Sequence, residues 1–368
     1  MPKSIAYIRW NYPTELDYYN SSSNTLGADL RVPIINTLLR MGYDVNIHSK
    51  MTPRDETLIQ TGIGEGFDYS RFKAVGYHPG EPVTDDMVIV EAAAPFTPAS
   101  IKGVPYMKYV ADALRGYRGT VIWYQHGGFD GRPSVMWESG AYNPNLSPSN
   151  IKNLFHDMGI RKEQVVIWTH VTDRRTFVQK WPIFKGMVIM ATPIGFDPEI
   201  EPQMPYNASA KYDFIYIGVN KGNRQRKLME FLYGLPFSVL VVGNKWTPGT
   251  VDNITFVGEV KGHGKIYDLY KQARFALIIG DDQFEETGNQ TTRFTQSINS
   301  GCITFGDARF KGVERVVGRD MLVSSRMELL HKVANLRNPE VVLRAQQRNL
   351  PTWETVLSRL LPELERVI

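Results

Sequence analysis

Two series of short apolar segments, each alternating with segments of helical spacing, constrain this chain more than any other feature. The first series opens with Ser4–Ile8, and residues 24–29 follow as a polar, Gly-bearing stretch. Residues 30–41 then carry Leu30, Ile34, Ile35, Leu38 and Leu39 at helical spacing. Gly42 ends that helix, and residues 45–47 begin a second strand. Strand, loop, helix, strand is the repeat of a parallel sheet. Runs at 87–90, 121–124, 165–168 and 187–190 continue it. The pattern breaks at residues 192–198, and from there to Ala210 the chain is rich in Pro, Gly, Asn and acids. A second series then runs through 214–219, 238–242, 254–257, 275–279 and 302–305. Helix-like stretches at 226–233, 266–272, 327–336, 339–349 and 354–368 accompany it.

The expected fold is therefore α/β, with two Rossmann-like, doubly wound domains facing a cleft. The divisions are 1–195, 196–350 and a terminal helix, 351–368, that packs back on the first domain. A length of 368 residues suits two domains. Ligands in such sheets bind outside the carboxyl ends of the strands, so chemistry is sought there.

Composition excludes several classes. No apolar run reaches the ~18 residues of a membrane span. With only Lys3 and no apolar core at the start, no secretory signal is read, and one cysteine, Cys302, permits no internal disulfide. A cytoplasmic monomer is expected. The formal net charge of +4 allows a polyanionic partner without demanding one. The seven histidines are scattered, and no cluster has metal-ligand spacing. Asp281-Asp282 and Glu285-Glu286 read as a solvated acidic loop, so a divalent ion such as Mg2+ is not called for by a motif.

The sharpest local signal is the stretch 217–227, IGVNKGNRQRK, which leaves a strand and enters a helix. Gly218 and Gly222 permit close backbone approach, and Lys221 and Arg224 stand where a phosphate at a helix N-terminus would meet them. Arg226 and Lys227 read as surface charges. Further on, Arg293 and Gln296 lie three residues apart on one helical face, an arrangement suited to a phosphate and a ribose hydroxyl.

Residues 214–233, 275–284 and 293–307, with the stretches RKLMEFLY and ALIIGD, resemble the DNA β-glucosyltransferases of T-even bacteriophages. The resemblance covers roughly the last 150 residues, while the first half is similar only in outline. It implies the GT-B fold, a UDP-sugar donor, and transfer with inversion to a hydroxymethylated pyrimidine in double-stranded DNA. It also implies a host-cell cytoplasmic setting. It places the diphosphate-binding arginines on Lys221, Arg224 and Arg293, the ribose-binding acid on Gln296, the uracil-pairing backbone on Val260, and close approach to the diphosphate at Gly218. Lys221 keeps the charge but not the bidentate fork.

Glycosyl transfer to a hydroxyl needs a general base. The strand 121–124 runs into QHGGFDGRP, where Asp130, with Arg132 and Pro133 behind it, matches the family's base. His126, at the strand end and with an ordinary pKa near neutrality, is the alternative. Glu91 is a further acid that would line the cleft. Arg115, Arg118 and Arg132 are expected around this loop, with Arg161, Lys162, Arg174, Arg175, Lys180 and Lys185 following. Such a cluster would meet DNA phosphates, and access to the base would require flipping. Asp29 reads first as a helix cap and second as a hydrogen-bond partner of the donor sugar. Two other readings stay open: a GT-B transferase with a carbohydrate or lipid-linked acceptor, and a non-catalytic DNA- or nucleotide-binding protein of the same fold.

Overall fold

The computed structural model describes residues 4–8, 28–48, 57, 63–64, 67–68, 70–78, 80–91, 100–101, 104–125, 159–180, 184–220, 222–247, 252–260 and 262–365. The first sheet contains β1 (Ser4–Ile8), β2 (Asp44–Ile47), β3 (Gly76–Tyr77), β4 (Met87–Glu91), β5 (Thr120–Gln125), β6 (Val165–Thr169) and β7 (Val188–Ala191). Their spatial order is β7-β6-β5-β4-β1-β2-β3, with every neighbouring pair parallel. The strand order reverses between β1 and β4. Both faces are covered, which is why the strands read as near-continuous apolar runs. One face packs under α1 (Ala28–Arg40), whose Val32, Ile35 and Leu38 meet Ile5, Tyr7 and Ile89. The other face carries Val88, Val90, Trp123 and Ile167 under α2 (Tyr106–Ala113) and α3 (Arg174–Lys180), through Val110 and Phe177.

The second sheet repeats the plan. Its strands are β8 (Tyr212–Ile217), β9 (Val239–Val242), β10 (Ile254–Val257), β11 (Ala273–Ile278), β12 (Ile303–Asp307) and β13 (Leu322–Val323). The order is β10-β9-β8-β11-β12-β13, again parallel throughout. Here the reversal falls between β8 and β11. Its helices are α4 (Arg224–Leu232), α5 (His263–Tyr270), α6 (Asp282–Thr287), α7 (Arg293–Asn299), α8 (Glu314–Val317), α9 (Arg326–Ala334) and α10 (Pro339–Asn349). The two-residue edge strands β3 and β13 are too short to register as periodicity in the sequence.

Two chain crossings join the units, and they touch. Phe196 on the outward crossing accepts from the Trp353 amide at 2.9 Å and donates to the Pro351 carbonyl at 3.1 Å on the return. Beyond it, α11 (Trp353–Glu365) lays Val356, Leu357, Leu360 and Leu364 into the first domain's core. Asp197, fully buried on the crossing, is held by Asn36 at 2.7 Å and Arg40 at 3.0 Å from α1. A buried carboxylate needs such partners, so the crossing is anchored to α1 by charge as well as by packing. A second junction inserts Thr172 of the first domain between Gly288 and Gly312 of the second. The Thr172 amide donates to the Gly288 carbonyl at 3.1 Å, its hydroxyl donates to the Lys311 carbonyl at 3.1 Å, and Lys311 pairs with Asp173 at 3.0 Å. A Cβ on either glycine would collide with the Thr172 side chain.

Candidate functional site

The strand-order reversal of the second sheet gathers most of the donor-side residues. Gly218 follows β8 and Gly280-Asp281 follow β11, both at carboxyl ends. Gly218 is tightly enclosed: an added Cβ would stand 3.0 Å from Arg293 Nη1 and 3.2 Å from the Tyr216 hydroxyl. At the end of β9, Gly243 lies directly against the Gly218 carbonyl, leaving no room for a side chain. The Trp246 indole donates to that carbonyl at 2.7 Å and packs edge-on to Tyr216. These residues form a rigid floor of backbone and aromatic rings.

Two guanidiniums stand over this floor. Arg293, the first residue of α7, donates to the Tyr216 hydroxyl at 2.8 Å and lies over its ring. Arg224 opens α4, one residue after its N-cap Asn223. It donates to the Val219 carbonyl at 3.1 Å and to Asp281 at 3.2 Å. Burial, followed by the proximity of Arg293, holds the Arg224 guanidinium below its ordinary pKa. Among the described residues Asp281 is the carboxylate paired with Arg224, and no ion pair is formed by Arg293. Two cations against one acid leave a net positive pocket, and the Arg224 Nε is buried without a hydrogen-bond partner among the described residues. An anion would satisfy both.

Gln296 follows one turn along α7. It is 3% exposed, and its amide lies 3.4 Å from His263 Nδ1 at the start of α5. Val260 follows β10, and its side chain packs against the Ile217, Leu240 and Tyr270 cluster. The structure thus brings Gly218, Arg224, Arg293 and Gln296 to one end of the sheet, with Val260 beside them. Lys221, Asp130 and His126 lie outside the described residues, as does Arg132.

Three expectations are corrected. Lys227 is not a surface charge: it is 1% exposed and ion-paired to Glu285. Asp281 to Glu286 is not a solvated acidic loop. Asp281 caps α6 by accepting from the Phe284 amide at 3.1 Å, and Glu285 is buried. The stretch alternates solvent-facing and inward acids at helical spacing, and that periodicity was the available signal. Finally, Arg115 and Arg118 precede β5, as Arg161 and Lys162 precede β6 and Lys185 precedes β7. The strands are parallel, so these five residues sit at the amino end of the sheet, away from the loop that leaves Gln125. Arg174 and Arg175, which follow β6, lie at the carboxyl end.

In the first domain, Tyr7 on β1 donates to Glu91 on β4 at 2.5 Å, across the reversal of strand order. Glu91 is 1% exposed. Beside it, the Tyr124 hydroxyl meets His170 Nε2 at 2.8 Å, and His170 Nδ1 meets the Thr192 carbonyl at 3.0 Å. Tyr7, Tyr216, Gly243 and Trp246 carry no local sequence signal, because each acts through a neighbour distant in the chain.

No family model and no curated protein matches the chain. Solved structures do. T4 phage beta-glucosyltransferase in complex with its UDP-glucose substrate aligns with a TM-score of 0.57 at 15% identity, over 99% of this chain and 97% of that one. An alpha-glucosyltransferase in complex with UDP and a 13-mer DNA containing a HMU base aligns with a TM-score of 0.58 at 9% identity, over 99% and 98%. Sucrose-phosphate synthase from Thermosynechococcus elongatus gives 0.57 at 12%, over 99% and 98%. The chain has the GT-B fold these structures share. No helix among the described residues is long and apolar enough to cross a membrane, and none of their acidic, His or Cys groupings would hold a metal ion.

Proposed function

We propose that this protein is a glycosyltransferase that moves a sugar from a UDP-sugar to the hydroxymethyl group of 5-hydroxymethylcytosine or 5-hydroxymethyluracil in phage DNA. The observation that carries the donor half is the Arg224–Arg293 pair over Gly218, a net positive pocket at the reversal of a doubly wound sheet. Such a site suits a nucleoside diphosphate. The arginines, with Lys221, would take up the charge that develops on the departing diphosphate. Gln296 would bond the ribose hydroxyls, and the Val260 backbone the uracil edge. Asp130, or His126 in its place, would take the proton of the hydroxymethyl group. Its oxygen would then attack the anomeric carbon opposite the leaving group, which inverts the centre. Arg174 and Arg175 on the carboxyl side would contact DNA phosphates.

One observation favours a second reading, transfer to a carbohydrate acceptor. Five of the basic residues expected beside the acceptor lie at the opposite end of the first sheet. Parallel incubations with hydroxymethylated DNA or with an oligosaccharide panel, each with a panel of UDP-sugars, followed by mass spectrometry of the nucleosides and glycans, test both. A hexose or pentose mass added to the modified nucleoside supports the DNA reading. Donor turnover only on oligosaccharides overturns it.

A further inference from the structure

Helix α4 presents two cations on one face, Arg224 and, three residues on, Lys227. Helix α6 answers with Asp281 at its cap and Glu285 one turn later. The result is a ladder of two ion pairs between the helices. The outer rung, Arg224–Asp281, borders the pocket. In the inner rung, Lys227 Nζ is held by Glu285, by Asp282 Oδ1 at 3.1 Å and by the Gly280 carbonyl at 3.4 Å. The other Glu285 oxygen accepts the Gly280 amide at 3.1 Å. Asn223, the N-cap of α4, donates to Asp282 at 2.6 Å.

The inner rung is costly as a stabilising device. Each buried ion loses several kcal/mol of hydration, and apolar residues of similar volume commonly match or exceed such a pair. Burial also pushes the Glu285 carboxyl up, against ionisation. What the pair supplies is direction. An apolar contact tolerates sliding and rotation, whereas Lys227 with three oxygens around it fixes both the height and the rotation of α4 against α6. The residue fixed most closely on the same helix face is Arg224.

We propose that Lys227 and Glu285 are positioning residues for the nucleoside-diphosphate site, clamping α4 to α6 so that Arg224 is aimed at the diphosphate beside Arg293. The inference rests on the donor-site reading above. Asp281 completes the device: it holds Arg224 against the repulsion of Arg293 while the site is empty and shares it when the diphosphate arrives.

The test is UDP binding by calorimetry on the full chain, with Lys227→Met/Glu285→Leu in the wild-type and in the Arg224→Met background. In the wild-type background the double substitution weakens UDP binding about tenfold, or ~1.4 kcal/mol. In the Arg224→Met background it causes no further loss, since its effect passes through Arg224. A folded double variant that binds UDP within twofold of wild type overturns the inference, as does an equal loss in both backgrounds. Should the double variant fail to fold, Glu285→Gln, which retains an acceptor for the Gly280 amide, is read by the same cycle and the same criteria. A wild-type chain that binds no UDP overturns the donor-site reading itself, a result distinct from the other two.

Discussion

Replacing Arg293 by Met separates donor binding from stability. Among the described residues the Arg293 side chain makes one hydrogen bond, to the Tyr216 hydroxyl at 2.8 Å, and lies over the same ring at 5.5 Å. Losing the hydrogen bond costs about 1 kcal/mol. Losing the ring contact costs a further ~0.5–1 kcal/mol. Against this, the repulsion that depresses Arg224 is relieved, and a Met side chain keeps the apolar packing of the stem. The net change in stability is therefore within about 1 kcal/mol, a melting shift of a few degrees at most for a domain of this size. Donor binding behaves differently. A guanidinium meeting a diphosphate makes charge-assisted bonds of ~1.5–3 kcal/mol, so UDP affinity falls roughly 10- to 150-fold. Arg293→Lys, which keeps the charge and loses the fork, falls between. Calorimetric titration with UDP and thermal melts of the same samples supply both numbers. UDP affinity within threefold of wild type, or a melting point lowered by more than ten degrees, would show that Arg293 is a structural side chain and refute the argument.

Asp130→Ala should lower sugar transfer at least ~100-fold while UDP still binds. The same loss in His126→Ala with a near-normal Asp130→Ala reassigns the base to His126. Gly288→Ala, at φ +63° and directly against Thr172, should open the second junction. Hydrogen exchange at the Thr172 and Asp173 amides then rises, and unchanged protection there contradicts the junction's role. Glu199, hydrogen-bonded first by Arg71 and then by Asn36 and ion-paired with Arg40, has its carboxyl pulled down to about 2. Its folded pKa lies below its unfolded one, so its contribution is complete above the ordinary carboxylate range and disappears as the pH falls through that range towards 2. Thermal melts between pH 5 and pH 2 should be flatter for Arg71→Met than for wild type, and parallel curves count against the pairing.

What could be read from the chain was whatever repeats or punctuates locally. The strands at residues 87–90 and 275–279 are continuous apolar runs because helices cover both faces of their sheets, and α10 begins at Pro339 and ends at Asn349 as its pattern requires. Helix α4 starts at Arg224, two residues before the 226 expected from the sequence, and this decides a role. Arg224 becomes the first residue of the helix, where its side chain turns inward to Asp281, and Lys227 becomes a core residue. Basic residues in a run look alike in sequence, and only the helical phase separates Arg226, on the outside, from its neighbours. The placement of Arg115 and Arg118 follows from chain order once the sheet is known to be parallel: both precede β5, so they stand at its amino end, opposite the end where ligands bind.

Gln296 gives the donor site its particular character. A glutamate there would only accept hydrogen bonds and would bring a second acid close to Arg224 and Arg293, cancelling most of their field. A glutamine leaves the pocket net positive and supplies a donor as well as an acceptor. In the structure the amide nitrogen faces His263 Nδ1. For that contact to be a hydrogen bond, the ring must carry its proton on Nε2, and the Gln296 carbonyl then becomes the group available to a ribose hydroxyl. Ribose recognition would therefore run through a histidine tautomer that a carboxylate would not need. The compensation would be a stronger field on the diphosphate, at which the resemblance implies Lys221 at an arginine position, and a single-point cation would grip less firmly than a fork. Gln296→Glu alone should therefore weaken UDP binding, not strengthen it, as calorimetric titration would read.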